Sequence, residues 1–245
     1  SDRERMRTTE FCIEYVSGRI PVIAGSGSSS TENAIQLSRD AEAAGADGLL
    51  VVTPYYNRAT QPGLIRHYSA IADLVEIPIL LCNAPACTGV SLTPDTCAEL
   101  AKHPNIQGMV ESSGDLSFLQ RARNLCPETF SVWAGNDDET VPICALGGQG
   151  VVSVAANILP REMHTLVRLC LDNDFRSAGQ LQLELKHFFD AMSCEINPIP
   201  VKAAMNLLGI PAGSLRLPLC GPTEGNLRHI FRVLERYGLD PAELT

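Results

Sequence analysis

Several groups of residues in this chain have types and spacing suited to chemistry. Asn136, Asp137, Asp138 and Glu139 follow one apolar run and Glu111 ends another, so several carboxylates gather where a hard cation such as Mg²⁺ could bind. The same acids also suit a plain helix start, with Asp138 or Glu139 capping the next helix and complementing its dipole, and this is the simpler expectation. Cys82 and Cys87 flank Asn83-Ala84-Pro85-Ala86. A thiolate nucleophile needs a basic or histidine neighbour, and none of His67, His103, His164, His187 or His229 falls at an expected strand end, so these thiols are expected to fill space. The stretch Gly25-Ser26-Gly27-Ser28-Ser29-Ser30-Thr31 follows a strand and opens a helix, where backbone N–H groups can cradle phosphate. It lacks the third glycine of a dinucleotide fingerprint and the lysine of a P-loop. Ser30 or Thr31 is therefore expected as an ordinary N-cap. Amine chemistry has few candidates, because the only lysines are Lys102, Lys186 and Lys202. All three fall on expected helices, away from every expected strand end.

Composition narrows the partners. The 245 residues are 45% hydrophobic and 19% charged, which describes a folded globular chain rather than a disordered or collagen-like one. No apolar run approaches a membrane span, and Ser1–Glu10 alternates in charge where a secretory signal would be apolar. A net charge of −9 argues against nucleic acid or an anionic membrane as partner, since either demands a basic face. Nine cysteines form an odd set without a C-x-x-C pair, which fits neither a disulfide framework nor a structural zinc site. The expected location is the reducing cytoplasm.

The elements that must position these residues alternate regularly. Strands are expected at Ile20–Ala24, Gly48–Thr53, Ile79–Asn83, Ile106–Val110, Ser131–Ala134 and Gly150–Val154, each a continuous apolar run of the kind buried on both faces of a parallel sheet. Helical periodicity fills the intervals, at Ser30–Ala44, Gln61–Val75, Thr93–Lys102, Leu116–Cys126 and Thr140–Leu146. A further helix at Asp2–Val16 precedes the first strand. Beyond the sixth strand the pattern becomes helical throughout, at Arg161–Asp172, Phe175–Ser193, Pro200–Leu208 and Thr223–Tyr237, with prolines breaking the connections. The expected architecture is an α/β fold, an incomplete (β/α)8-type barrel of about six parallel strands over residues 1–160. The helices of residues 161–245 form a C-terminal extension packed on the same domain. A full barrel spends about 250 residues on eight units, so two strands are expected to be missing.

The segments VTPYYNRATQPG at Val52–Gly63 and NPIPVK at Asn197–Lys202 resemble the dihydrodipicolinate synthase and N-acetylneuraminate lyase family of class I aldolases, the synthase branch most closely. RIPVIAGSGSSST, NAPACTG, GGQGVVSVAAN and LRLPL extend the resemblance in the same order over essentially the whole chain. It implies a (β/α)8 barrel with a helical extension. The match begins at the family's second helix, which implies that the first strand, first helix and second strand, with their substrate-binding Gly-Thr-Thr-Gly-Glu turn, have no counterpart. The family's Schiff-base lysine corresponds to Val110 within Gly108-Met109-Val110-Glu111, its catalytic tyrosine to Cys82, and its carboxylate-binding arginine to Cys87. Valine cannot form an imine with a keto acid, the usual chemistry of a nucleophilic amine. Lys202 and Asn197 lie in a proline-rich helix entry and are expected to serve packing.

The expectation is a family member that has lost pyruvate aldolase chemistry. A residual pocket is expected around Tyr55, Tyr56, Asn83, Glu111, Gly135, Asn136 and Val152, with no metal and no cofactor. Exposed strand edges lead to the expectation of self-association, as a homodimer or larger, covering the gap. A small keto acid is the candidate ligand. Two other functions compete: a small-molecule binder, and an enzyme with new chemistry built on Glu111, Asp137 or Cys82.

Overall fold

The computed structural model describes residues 1–242. Among these, no helix is long and apolar enough to cross a membrane. The chain divides into two compact units, one comprising Ser1–Gly135 with Leu146–Gln149, the other Asn136–Ala145 with the residues from Gly150 on.

The first unit is a parallel sheet of βα units. Helix α1 (Asp2–Val16) leads into β1 (Ile23–Gly25), α2 (Thr31–Ala43), β2 (Gly48–Val52), α3 (Gln61–Ala72) and β3 (Ile79–Asn83). A single-turn helix α4 (Pro85–Thr88) follows, then α5 (Pro94–Leu100), β4 (Ile106–Glu111), α6 (Leu116–Leu125) and β5 (Ser131–Ala134). The strands pair only with their sequence neighbours, in the order β1-β2-β3-β4-β5, all parallel. Side-chain caps start the helices where the sequence suggests: Ser30 accepts from the Asn33 N–H, Thr60 from Gly63, Thr93 from Thr96 and Asp115 from Phe118. Each such cap stabilises its helix by about 1 kcal/mol. The Gly/Ser stretch before α2 thus ends in the plain N-cap at Ser30.

Strand alternation separates two faces. Leu49, Val51, Ile79, Leu81, Met109 and Val132 are in register across β2–β5 and wholly buried. They form the core with the inner sides of the helices, among them Leu64, Tyr68 and Ile71 of α3 and Phe118 and Leu119 of α6; the Tyr68 hydroxyl donates to the Val51 carbonyl at 3.2 Å. On the other face Leu50, Val52, Leu80, Cys82 and Trp133 are only half-buried. Burial is thus more complete on the helix side, Val110 being a buried exception on the other face, although the apolar runs predict full burial on both.

Two strand assignments change. The first strand is Ile23–Gly25 rather than Ile20–Ala24, because Pro21 has no N–H to offer a ladder. The sixth, Gly150–Val154, survives only as an isolated bridge position at Val151. Gly147 and Gly150 there take φ of +88° and +148°, values that break an extended run. The remaining helices agree with the periodicity to within about two residues, the usual disagreement at frayed ends, save α3, which stops at Ala72.

The second unit is helical. A 3₁₀ turn at Asp137–Glu139 leads into α7 (Thr140–Ala145), and a second at Ala155–Asn157 precedes α8 (Pro160–Leu171), α9 (Phe175–Met192), α10 (Ile199–Leu207) and α11 (Glu224–Arg236). Its core joins Met163, Leu166 and Cys170 of α8, Phe188 and Phe189 of α9, Ala204 of α10, and Ile230 and Leu234 of α11. Neither Asp138 nor Glu139 caps α7. Asn136 heads the 3₁₀ turn without a side-chain cap, and its amide donates instead to Glu139 Oε2 at 2.7 Å.

Candidate active site

The chemistry-bearing residues of the first unit sit at the C-terminal ends of its strands. Thr53 follows β2, Asn83 ends β3, Glu111 ends β4 and Gly135 follows β5. Parallel register aligns Cys82 with Val110 and Asn83 with Glu111, and the two pairs face opposite sides of the sheet.

On the helix side lies a buried polar network. The Asn83 amide donates to Glu111 Oε2 at 2.8 Å, while its oxygen accepts from the Leu92 N–H at 3.0 Å. Glu111, 2% exposed, also accepts the Ser113 N–H at 2.6 Å. The charge of Glu111 adds to the burial that raises the Cys97 thiol of α5. Alongside, buried Thr53 donates to the Thr88 hydroxyl at 2.9 Å, and Thr88 donates to the Val90 carbonyl. These groups tie the loop after α4 to the strand ends. The threonine pair escaped the sequence reading, because neither residue carries a motif that marks it as polar and buried.

On the opposite face Val52, Cys82, Val110 and Trp133 align in register across four strands as an unbroken apolar row. Val110 is buried in the middle of it. Burial pushes the Cys82 thiol up to about 11, with Cys87 and Glu111 adding to the effect, so at neutral pH it is not a thiolate. Cys87 is exposed rather than filling space.

The expected pocket residues therefore separate. Asn83 and Glu111 are joined to each other, and the Gly135 N–H donates to the Glu111 carbonyl at 2.7 Å. A Cβ at Gly135 would lie 1.8 Å from Ser112 Oγ and 3.1 Å from the Glu111 carbonyl, so a larger residue there would have to displace the serine hydroxyl. Tyr55 and Tyr56 stand exposed on the loop after β2, Tyr56 with φ +80° and 90% exposed. Asn136 and Val152 belong to the second unit. There Asp137 Oδ2 accepts the Ala155 N–H at 2.9 Å, while Oδ1 is buried without a partner. Burial raises Asp137, opposed by hydrogen bonds from Ser153, Ala155 and Val154. Among the described residues no group of three or more His, Cys, Asp or Glu side chains is placed to hold a metal ion.

The lysines lie elsewhere. Lys102 pairs with Glu99, Lys186 with Asp190, and Lys202 Nζ donates to the Ser214 carbonyl at 2.8 Å. A shallow groove lined by His103, Gln107 and Phe130 opens at the N-terminal ends of β4 and β5, the wrong end of the sheet for barrel chemistry.

Parallel βα units with functional side chains at the strand C-termini define an α/β protein of the TIM-barrel type. Structural comparison agrees: dihydrodipicolinate synthase from Aquifex aeolicus superposes with a TM-score of 0.97 at 39% identity, over 99% of this chain and 83% of that one. The Thermotoga maritima dihydrodipicolinate synthase gives 0.95 at 38% identity, over 98% and 82%. The model of the dihydrodipicolinate synthetase family matches residues 1–236, and the chain belongs to that family. Among curated relatives, the 4-hydroxy-tetrahydrodipicolinate synthase of Caldicellulosiruptor bescii is 47% identical over 242 residues, covering 99% of this chain and 82% of the relative. That of a Thermoanaerobacter species is 45% identical over 240 residues, covering 98% and 81%. The family is one of lyase-type enzymes.

Proposed function

We propose that this chain keeps the family fold but has lost pyruvate Schiff-base chemistry, and that it acts as a self-associating, non-catalytic member. The relatives are named as synthases, so similarity alone would predict an active enzyme. The observation that carries the opposite reading is Val110, an apolar side chain buried in an apolar row where the resemblance expects the nucleophilic amine. The three lysines, two on helices of the second unit and Lys102 in the turn after α5, are engaged with other groups and offer no substitute. Replacement chemistry has little support: Cys82 is held as a thiol, and Glu111 is committed to a buried network on the helix side.

Free cysteines throughout support a reducing, cytoplasmic setting. Self-association is favoured by exposed apolar side chains at the β1 edge, Ile20 at 64% and Ile23, together with Tyr56 on its strained loop.

Borohydride reduction in the presence of pyruvate, followed by mass spectrometry of the intact chain, is expected to give no adduct. A stable pyruvyl-lysine adduct would overturn the reading. A thermal-shift series with pyruvate and related keto acids separates an inert scaffold, which gives no shift, from a member that still binds its family's ligand.

A further inference from the structure

We propose that α1 is a docking surface for a second copy of this chain, the two helices packing antiparallel about a two-fold axis. This names the surface used by the self-association argued above and rests on that reading.

Helix α1 is fifteen residues long, capped by Ser1 at its start and by a left-handed Ser17 at its end, yet it fully buries none of its residues. Met6, Thr9, Ile13 and Val16 form the half-buried inner side. Opposite them Phe11 and Tyr15 stack at 6.0 Å between ring centroids, 65% and 71% exposed, with the Arg19 guanidinium over the Tyr15 ring. Between these two sides runs a stripe of Arg3, Arg7, Glu10 and Glu14. Their spacing of four, three and four residues keeps them in line along the helix.

The stripe groups like charges at each end of the helix, with one attractive step, Arg7 to Glu10, between them. Arg3 and Arg7 are like charges four residues apart, as are Glu10 and Glu14, and such pairs repel on a helix surface. Arg3 in the first turn and Glu14 in the last carry the unfavourable sign for the helix dipole, beside Asp2 and Glu4 of the first turn, which carry the favourable one. All four side chains are exposed, and none has an ion pair or side-chain hydrogen bond among the described residues.

A second copy laid antiparallel sets each of these charges against its opposite. Arg3 then faces Glu14 of the other copy and Arg7 faces Glu10, giving four cross-helix pairs by symmetry. The dipoles of the two helices oppose favourably. The same two-fold puts both Phe11–Tyr15 pairs on one side of the seam, where they cover it from solvent. Parallel pairing would set arginine on arginine and glutamate on glutamate, so the charge order selects the antiparallel partner.

The test is charge reversal in the full chain. Sedimentation velocity of the unaltered protein is expected to show a dimer that weakens when salt rises from about 0.05 to 0.5 M, as screening of exposed pairs requires. Arg3→Glu with Arg7→Glu makes the stripe wholly acidic, and Glu10→Arg with Glu14→Arg makes it wholly basic. Each double variant alone is expected to dimerise at least about tenfold more weakly, with unchanged circular dichroism, and an equimolar mixture is expected to restore a heterodimer. A dimer indifferent to both reversals, or a mixture that stays monomeric, overturns the role of α1 while leaving self-association through another surface. A wild-type monomer at every concentration overturns both.

Discussion

The Asn83 amide and the Glu111 carboxylate meet at 2.8 Å across the ends of β3 and β4, buried on the helix side of the sheet. A carboxyl acceptor buried in such a place is tolerated only while its hydrogen bonds are made. Removing the amide with Asn83→Ala is expected to lower unfolding free energy by about 2–4 kcal/mol, the cost of a cavity and of a carboxylate short of one donor. Urea denaturation of the variant checks this. A loss below about 0.5 kcal/mol would mean that the network does not brace the strand ends.

Val110 occupies an apolar row with Val52, Cys82 and Trp133. Restoring an amine there with Val110→Lys is expected to destabilise the chain by several kcal/mol at pH 7, because the charged form is disfavoured by burial. The folded-state value of that lysine would fall below the unfolded one. Stability is then lost at lower pH and recovered only as pH rises past the unfolded value of about 10.4, above which the amine is neutral in both states. Denaturation curves at the two pH values distinguish this from simple overpacking, which has no pH dependence.

His67 of α3 is buried, with Nδ1 paired to Thr31 Oγ1 at 2.9 Å and Nε2 without a partner. Desolvation lowers its pKa below the ordinary 6.5. The unfolded chain therefore binds more protons than the folded one just below pH 6.5, and stability falls as pH drops through that value. Asp137 and Glu139, raised by burial, act in the opposite direction within the carboxylate range. Replacing His67→Gln is expected to flatten the slope between about pH 6.5 and 5, as read by thermal melts. An unchanged slope would assign it to other groups.

Thiol reactivity should follow burial. Cys12, Cys87 and Cys220 are exposed. Cys82, Cys126 and Cys144 are pushed up to about 11, 11 and 12, chiefly by desolvation. Brief alkylation at pH 8 followed by peptide mapping is expected to label the exposed three and spare the others until the chain is unfolded. Rapid labelling of Cys82 would show that its surroundings are more polar than the apolar row implies.

Much of this molecule was legible without coordinates. The alternation of apolar runs with capped helical segments placed β2 to β5 and every helix longer than one turn, because local periodicity and N-caps are properties of neighbouring residues. The sixth strand was misread, since the apolar residues of Gly150–Val154 look extended while the backbone at Gly147 and Gly150 is not. The caps expected of Asp138 and Glu139 failed for a related reason: the chain enters α7 through a 3₁₀ turn, and Asn136 takes up Glu139.

By itself the sequence determined which groups are at hand: three lysines, none at position 110, and valine and cysteine where the resemblance expects lysine, tyrosine and arginine. Side-chain inventory needs no fold. Only the tertiary structure decided which residues share a side. In a strand apolar throughout, the period of two leaves no mark in the sequence, so nothing local says that Asn83 and Glu111 turn under the helices while Cys82 and Val110 turn the other way. Strand register across β3 and β4 makes that choice. It separates residues adjacent in the chain into a structural brace on one face and an apolar row on the other.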